Sequence, residues 1–358
     1  MENDTDNQPT FSAVSSTART LYQLLRCISF ASKAQVRLSE AGMRFGVEDS
    51  SVMEGHAFLG KDLFTTYQYN APPPSQHSNT LKSDDNDQLD EPTSPIFEIS
   101  LPSLLETLQI FGLADLTSTR TNPWSRAPDI NQAFDNRVLG LTGICKLRYA
   151  RPGAPLSIVL EESGITTTCD LVTYEPTVTE DIPFARDALM LKIVMRASWL
   201  YDALLELSAT NPETLTLTAS PVAPYFALSA AGPLGSATVE FSSREQGLLE
   251  TFMVSPAISG KRGKVVNSYK FSLIKAAQRA MAAATKVSIR GDHQGVLNLQ
   301  FMIEVDTEKE KISFIDFVFV PLAEDGDEEG TEDEEEDDVG DGRNNADGGV
   351  VNTDDDEE

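Results

Sequence analysis

Two stretches near opposite ends of this chain share one pattern. Residues 33–45 read KAQVRLSEAGMRF and residues 286–301 read KVSIRGDHQGVLNLQF. Each opens on Lys and sets a β-branched residue before an Arg (Val36-Arg37, Ile289-Arg290). Each places Gly five positions after that Arg (Gly42, Gly295), then returns to alternating apolar residues. Alternation at period two marks a half-buried strand, and Gly between two such runs marks a turn. Each stretch also follows a segment of helical periodicity. Ordinary hairpin chemistry is one explanation; an internal repeat is the other, and it is favoured because the helix-then-hairpin context recurs in both places.

The rest of the chain supports a repeat. In TARTLYQLLRCISF (17–30), Ala18, Leu21, Leu25 and Ile28 form an apolar stripe, with Ser15 and Ser16 placed to cap the helix. Strands AQVRLSEAGMRFGVED, MEGHAFLGKDLF and TTYQY follow, then a strand and helix in FEISLPSLLETLQIFG, then strands LTGICKLRY, LSIVLEES and ITTTCDLVTY. The second half repeats that order: LKIVMRA and helix SWLYDALLEL; strands TLTLTAS, PYFALSAA and ATVEFS; NSYKFS and helix LIKAAQRAMAAA; closing strands KVSIR, VLNLQFMIEV and KISFIDFVFVPL. Between the halves, EPTVTEDIPFAR (175–186) carries two Pro and four charges and little periodicity, as a linker does. The expected fold class is α+β: two pseudo-equivalent domains, each with two helices on a predominantly antiparallel sheet, joined by a connector. Expected boundaries are a disordered N-terminus (1–10), domain 1 (11–172), a connector (173–186), domain 2 (187–322) and a disordered tail (323–358). Within domain 1, APPPSQHSNTLKSDDNDQLDEPTSP (71–95) has too little apolar content to offset its ordering entropy and reads as a disordered insertion; 117–136 reads as an irregular one.

Charge is unevenly placed. The formal net charge is −28, but residues 323–358 hold 19 acidic side chains against the single Arg343. The insertion at 71–95 and the first ten residues are also acidic, which leaves the expected folded body near neutral. A pI of 4.4 therefore describes the tails and does not exclude contact with nucleic acid. Cys27, Cys145 and Cys169 lie far apart without a CxxC, as expected of free thiols in a reducing compartment. The acidic, polar start MENDTDNQPT is unlike a targeting peptide, and the longest apolar run, near Ile315–Val320, is too short to cross a bilayer. A soluble, intracellular protein with no membrane contact is expected. Lys261-Arg262-Gly263-Lys264 is a weak nuclear-import candidate or a solvated loop.

Basic residues gather on two of the four helices. Arg19 and Arg26 are seven apart, about 700° of helical rotation, and so share the face opposite the apolar stripe. Lys275 and Arg279, four apart, share a face while Ile274, Ala277 and Met281 turn inward; Lys270 and Lys286 flank that helix. Such faces suit phosphates without reading bases, or they are simply solvated. The other helices offer Glu106 in one, and Asp202 and Glu206 in the other, with only Arg196 before it.

Enzyme signatures are missing: no GxGxxG, GxxxxGK[ST], HExxH or GxSxG occurs. Glu48/Asp49 and Glu161/Glu162 are adjacent on strands and point to opposite faces, so neither pair can chelate one ion. Asp316 stands alone, and His56, His77 and His293 read as surface or capping residues. No catalytic residue, metal or cofactor is expected. In the acidic tail, Thr331 precedes EDEEE, a context for an acid-directed kinase; a purely solubilising tail is the alternative.

FSAVSSTARTLYQLLRCISFASKAQVRLSEAGMRFGVEDSSVMEGHAFLGKDLF resembles the opening of PCNA-like sliding clamps. More closely it resembles the subunit family of the heterotrimeric DNA-damage checkpoint clamp, a family also labelled a repair exonuclease. YKFSLIKAAQRAMAAATKVSIRGDHQGVLNLQFMI is similar to that family's second-domain signature, with LVTYEP and PYFALSAAG in order between them. The resemblance covers about residues 11–322, apart from the insertions and 243–264. It implies two clamp domains with helices lining a channel, and three related subunits closing a nuclear ring around double-stranded DNA. It further implies a clamp loader and recruited repair and checkpoint proteins as partners. Arg19, Arg26, Arg196, Lys270, Lys275, Arg279 and Lys286 would face DNA. Residues 173–186 would be the interdomain connector. Val52, Met53, Tyr174, Phe184, Pro321 and Leu322 would lie at a pocket for partner peptides, although VEDSSVM departs from the replicative pattern. The alternatives are a 3′-5′ DNA exonuclease and a homotrimeric replicative clamp. The lack of bases on the middle two helices favours a mixed ring over a homotrimer.

Overall fold

The computed structural model describes residues 8–71, 94–110, 144–162, 164–177, 180–242, 249–255, 264–306 and 311–323. Nearly all of the 71–95 insertion, the whole of 117–136, the basic run 261–263 and the acidic tail from 324 lie outside the described residues.

The first half runs β1 (Phe11–Ser15), α1 (Ala18–Cys27), β2 (Lys33–Leu38), β3 (Gly42–Asp49), β4 (Met53–Gly60), β5 (Thr66–Tyr69), β6 (Ile96–Ser100), α2 (Leu101–Leu108), β7 (Ile144–Tyr149), β8 (Leu156–Glu162) and β9 (Ile165–Leu171). The second runs β10 (Leu189–Arg196), α3 (Ala197–Leu207), β11 (Thr214–Ala219), β12 (Phe226–Gly232), β13 (Gly235–Phe241), β14 (Thr251–Val254), β15 (Val265–Lys270), α4 (Phe271–Ala276), α5 (Gln278–Ala283), β16 (Lys286–Asp292), β17 (Leu297–Asp306) and β18 (Lys311–Phe319).

Three antiparallel sheets result, ordered β5-β1-β7-β8-β9, β13-β12-β11-β15 and β14-β10-β16-β17-β18-β4-β3-β2-β6. The long sheet is composite. Its part β14-β10-β16-β17-β18 repeats the five-stranded sheet of the first half, and β4-β3-β2-β6 repeats the four-stranded sheet of the second. The two parts join where β18 pairs with β4, with Ile315 opposite Ala57 and Phe319 opposite Met53.

The internal repeat is therefore real, but the two similar stretches are not its counterparts. KAQVRLSEAGMRF forms β2–β3, equivalent to β11–β12, whereas KVSIRGDHQGVLNLQF opens β16–β17, equivalent to β7–β8. Both follow a helix only because each domain sends a hairpin out of each of its helices. Their glycines still matter locally. Gly295 sits at φ +80°, and a Cβ there would come within 2.8 Å of Asn267 Oδ1 and 3.3 Å of Pro321.

The helices differ from expectation in two details. Thr17, rather than Ser15 or Ser16, caps α1, its hydroxyl accepting from the Arg19 N–H at 3.1 Å. The late helix breaks into α4 and α5 at Ala277, which has ψ near 0° and whose N–H bonds the Ile274 carbonyl three residues back. No Gly or Pro marks that break. Strand β14 has no counterpart among the strands expected from the sequence pattern.

Burial alternates along the strands as the pattern requires: Ala34, Val36 and Leu38 on β2, and Val287 and Ile289 on β16, face the core. Helices cover that inner face: α1 packs on β4 and β18, α2 on β2, β6 and β9, α3 on β10, β12, β13 and β16, and α5 on β17. Phe317 is fully buried beside the β18–β4 join, tilted against Phe30 at 6.1 Å, edge-on to Phe301 at 5.9 Å and stacked with Phe319 at 6.1 Å. Truncating Phe317 to Ala opens a cavity under the join. It should cost about 3–5 kcal/mol, read as a lowered urea midpoint in equilibrium unfolding.

Candidate nucleic-acid and partner interface

The four helices of the repeat lie side by side in the order α2, α1, α5, α3, with α1 packed on α2 and α5, and α3 on α5. Their outward faces carry different charge. Arg26 is exposed and lies 5.9 Å from the Tyr22 ring centre; Arg19 is half-buried at the start of α1. Lys275 and Arg279 are exposed on α4 and α5, and Arg279 Nη1 donates to Ser29 Oγ at 2.5 Å across the helix junction. The outer helices are acidic: Glu106 on α2, and Asp202 and Glu206 on α3, are exposed. Arg196 stands at the N-cap position of α3, its guanidinium 5.3 Å from the Trp199 ring centre. Lys270 is exposed before α4. Lys286 lies apart from the helical group. It shares a β16 face with Ser288, Arg290 and Asp292, opposite the core, and meets Glu250 at 2.7 Å.

The opposite face of the long sheet carries residues 173–177 and 180–186. This segment crosses the strands from β6 to β16 and is pinned by three carboxylates that side-chain burial would otherwise penalise. Glu98 on β6 accepts from the Thr177 N–H at 2.5 Å, while its backbone pairs with Tyr174. Glu54 on β4 accepts from the Ile182 N–H at 2.6 Å and from His56 Nε2 at 3.2 Å. Asp292 at the end of β16 accepts from the Ala185 N–H at 3.1 Å with one oxygen, and from the Gln294 and Val296 N–H groups with the other. Glu54, Glu98 and Asp292 are all buried. Burial alone would raise the Glu98 pKa, but the hydrogen bond from Thr177 and the nearby Lys33 outweigh it and hold the carboxyl below its ordinary value of 4.5.

The residues expected around a peptide pocket are divided among several places. Met53 is fully buried in the core. Val52 is near the chain end, where its carbonyl accepts from the Val320 N–H at 2.9 Å, close to Pro321 and Leu322. Tyr174 lies at the β6 edge, 5.6 Å from Lys33 Nζ. Phe184 lines a polar groove of about 370 Å³ with Arg44, His56, Phe58, Arg186 and Asp316. Burial raises the pKa of Asp316, which Arg290, 3.8 Å away, partly offsets.

Two features escaped sequence reading. The strap carboxylates Glu54 and Glu98 each sit inside an otherwise apolar strand, MEGHAFLG and IFEIS; that is a readable signal, since a buried acid requires a donor. The second is an aromatic patch beside the groove. Phe58 and Phe314 lie one residue beyond the Ala57–Ile315 pair, exposed at 40% and 43%, with Met302 opposite Phe314. They break the polar phase of their strands.

The carboxylates weighed for catalysis have structural partners. Glu48 accepts from the Ser51 N–H and hydroxyl, and Asp49 from the Ser50 hydroxyl, closing the β3–β4 turn. Glu161 faces Lys146 at 4.0 Å. His56 is no surface residue but bridges to Glu54 on the strap face. Among the described residues no three His, Cys, Asp or Glu side chains converge as metal ligands. Cys27 and Cys145 are buried and free, their thiols pushed up to about 12 by burial; Cys169 is half-buried and free.

This architecture is that of a sliding clamp. It matches the crystal structure of PCNA from Thermococcus kodakaraensis with a TM-score of 0.58 at 17% identity, over 87% of this chain and all of that one. The sequence profile of the repair protein Rad1/Rec1/Rad17 family matches residues 10–303, and the chain belongs to that family. It is 31% identical to the DNA damage checkpoint control protein rad1 of Schizosaccharomyces pombe, over 87% of this chain and 86% of the relative. It is 29% identical to the cell cycle checkpoint protein RAD1 of Homo sapiens, over 89% and 94%. It is also 21% identical to the DNA repair exonuclease REC1 of Mycosarcoma maydis, over 82% and 88%.

The strap gives a prediction. Glu98→Ala and Glu54→Ala should speed hydrogen exchange at the Thr177 and Ile182 amides, respectively, while amides of β3 stay protected. Because the native Glu98 pKa is lowered, its contribution is complete above 4.5 and fades as pH falls through that lowered value. In the unmutated chain, protection at Thr177, corrected for intrinsic exchange, should therefore fall only in that acid window.

Proposed function

We propose that this chain is a non-enzymatic subunit of a ring-shaped DNA clamp, formed with two other clamp-like subunits, that acts in checkpoint signalling and repair of damaged DNA in the nucleus. The checkpoint names of its relatives support the process. One observation carries the ring. Inside the chain, β18 is paired by β4; at the equivalent positions, among the described residues, β9 and β13 end their sheets with one edge unpaired.

The repeat also supplies a register. Taking Cys145 opposite Ser15 as the counterpart of Val287 opposite Met195, Thr167 corresponds to Ile315; taking Ser100 opposite Lys33 as the counterpart of Lys270 opposite Thr214, Val239 corresponds to Ala57. Thr167 would then face a neighbour's equivalent of Val239, as Ile315 faces Ala57. Both edges would bury their strand donors and acceptors against neighbouring subunits. Residues 11–172 and 187–322 act as the two clamp domains, and 173–186 as the connector. The groove at Phe184, with Phe58 and Phe314 beside it, is the surface that receives apolar side chains of recruited proteins.

The test is the native mass of the complex isolated on this chain. One copy each of this chain and two clamp-like partners is expected. Thr238→Pro, at a position whose N–H faces the open edge of β13, should lose one neighbour while the chain keeps its circular dichroism spectrum, because an edge strand tolerates Pro where its N–H points outward. A homotrimer would instead indicate a replicative type of clamp.

The exonuclease name of one relative is the second reading. The purified chain with Mg²⁺ or Mn²⁺ should leave DNA 3′ ends intact. Degradation that disappears in Glu48→Ala/Asp49→Ala or Glu161→Ala/Glu162→Ala would establish intrinsic nuclease activity and overturn the non-enzymatic reading.

A further inference from the structure

The internal junction turns on one contact between large and small residues. Phe317 on β18 lies opposite Gly55 on β4, and Phe30, in the turn after α1, covers the same glycine. A Cβ on Gly55 would come within 2.7 Å of the Phe30 ring and 3.2 Å of the Phe317 ring, whose centres are 6.1 Å apart. The two rings therefore occupy space that only a glycine leaves free, and Phe317 is fully buried there.

The two open edges lack both rings. The Leu322 N–H bonds the Ser268 carbonyl after β18, as the Tyr174 N–H bonds the Glu98 carbonyl after β9. Ser268 is the counterpart of Glu98, so Tyr174 corresponds to Leu322 and, five residues earlier, Cys169 to Phe317. The route through β7 and β16 gives the same correspondence. On β13, Ala237 stands where β4 has Gly55. Leu200, Ala203, Leu204 and Leu207 of α3 match Leu21, Leu24, Leu25 and Ile28 of α1, and the turn after α3 packs on β13. That turn, residues 208–213, reads SATNPE and holds no aromatic residue. A second copy of this chain would bring Cys169 against Ala237, leaving a thiol and a methyl group where two phenyl rings fill the internal junction. Voids of that kind are unfavourable in close-packed contacts. Ala237 is half-buried with its side chain on the core side of the sheet, so the hollow is open to whatever strand joins β13.

We propose that the edge at β13 is a socket for one large side chain. The neighbouring subunit that pairs there carries an aromatic residue on its joining strand, opposite Ala237, where this chain carries Cys169. The proposal rests on the ring reading and names the chemistry by which that edge takes a different subunit rather than a second copy. The socket lies on the core side of its sheet, apart from the groove at Phe184.

The experiment uses the full chain purified with its neighbours, with each neighbour's affinity measured by titration and the assembly by native mass. The neighbour at β13 is the one lost on Thr238→Pro. Ala237→Phe fills the socket and should weaken that neighbour by about tenfold or more, the scale of overpacking a filled site, while the neighbour at β9 still binds. Retention at β9 shows that the variant is folded. Replacing the β13 neighbour's aromatic residue at the paired position by Gly should weaken binding to the unmutated chain and restore binding to the Ala237→Phe chain. Cys169→Phe supplies the missing ring and should raise self-association of the isolated chain, measured in high salt, where the acidic helices repel each other less. Undiminished binding by the Ala237→Phe chain would overturn the socket and leave the ring standing. So would a loss that the neighbour's Gly variant does not repair, a neighbour with no large side chain opposite Ala237, or a Cys169→Phe chain that self-associates no more than the unmutated one. A chain that purifies with no clamp-like neighbour would overturn the ring reading, and the socket with it.

Discussion

The pairing of β18 with β4 organises everything else in this molecule. It converts two similar half-chains into one nine-stranded sheet and gives them a shared aromatic core around Phe317. It brings α1 and α5 side by side, because α1 sits on β4 and β18 and α5 on β17. On the other face it creates the continuous floor over which residues 173–177 and 180–186 pass. The same pairing explains why, among the described residues, the edges of β9 and β13 are unpaired: they are the counterparts of β18 and β4, which pair with each other. A repeat that satisfies one internal junction leaves one half of the next junction at each end.

The strap illustrates how a segment without a fully buried apolar side chain can be positioned by polar anchors. Its N–H groups at Thr177, Ile182 and Ala185 find Glu98, Glu54 and Asp292, each from a different strand. Charge-assisted hydrogen bonds of this kind are about twice as strong as neutral ones. They fix the backbone while leaving Phe184 in the groove wall and Phe58 and Phe314 at the surface. A partner side chain entering there would meet apolar rings beside the charged lining of the groove. The polar anchors set the geometry, and the aromatic residues are left for contact.

The fold was largely readable because it rests on periodicity. The stripe of Leu21, Leu25 and Ile28, the alternation in β2 and β16, and the repeated order of elements are all local patterns with a single physical cause, one buried face. What failed depended on long-range geometry. The similarity of 33–45 to 286–301 reflects a hairpin leaving a helix, which occurs four times in such a fold, so likeness alone could not assign equivalence. The break at Ala277 has no local signature, since Ala is the best helix former; on either side of it α4 and α5 pack against different neighbours, α4 on β15 and α5 on α1, α3 and β17. Arg19, Arg26, Lys275 and Arg279 lie on the helices where periodicity put them, whereas Lys286, grouped with them by sequence proximity, is sent to the opposite sheet face by strand alternation. The pocket residues were carried over by motif position, and Met53 shows the hazard: its position was matched while its side chain is entirely in the core.

The charge distribution then has a consistent physical meaning. A ring that encloses DNA retains it by topology, so its contacts need not be strong or sequence-specific, and each one removed shifts binding by only a modest, salt-dependent factor. Strong basic charge along every helix would hinder sliding without improving retention. A near-neutral body with two preset arginines at one helix junction and acids on the flanking helices satisfies that requirement. It also separates identical copies. If three such chains closed a ring, each subunit boundary would bring Glu106 of α2 toward Asp202 and Glu206 of α3 with no base on either helix to oppose them. Like charges in that arrangement disfavour the homotrimer, and neighbours carrying bases at those helices would relieve the repulsion. On the proposed ring reading, the acidic outer helices that confine basic charge to one junction would also favour different subunits as neighbours.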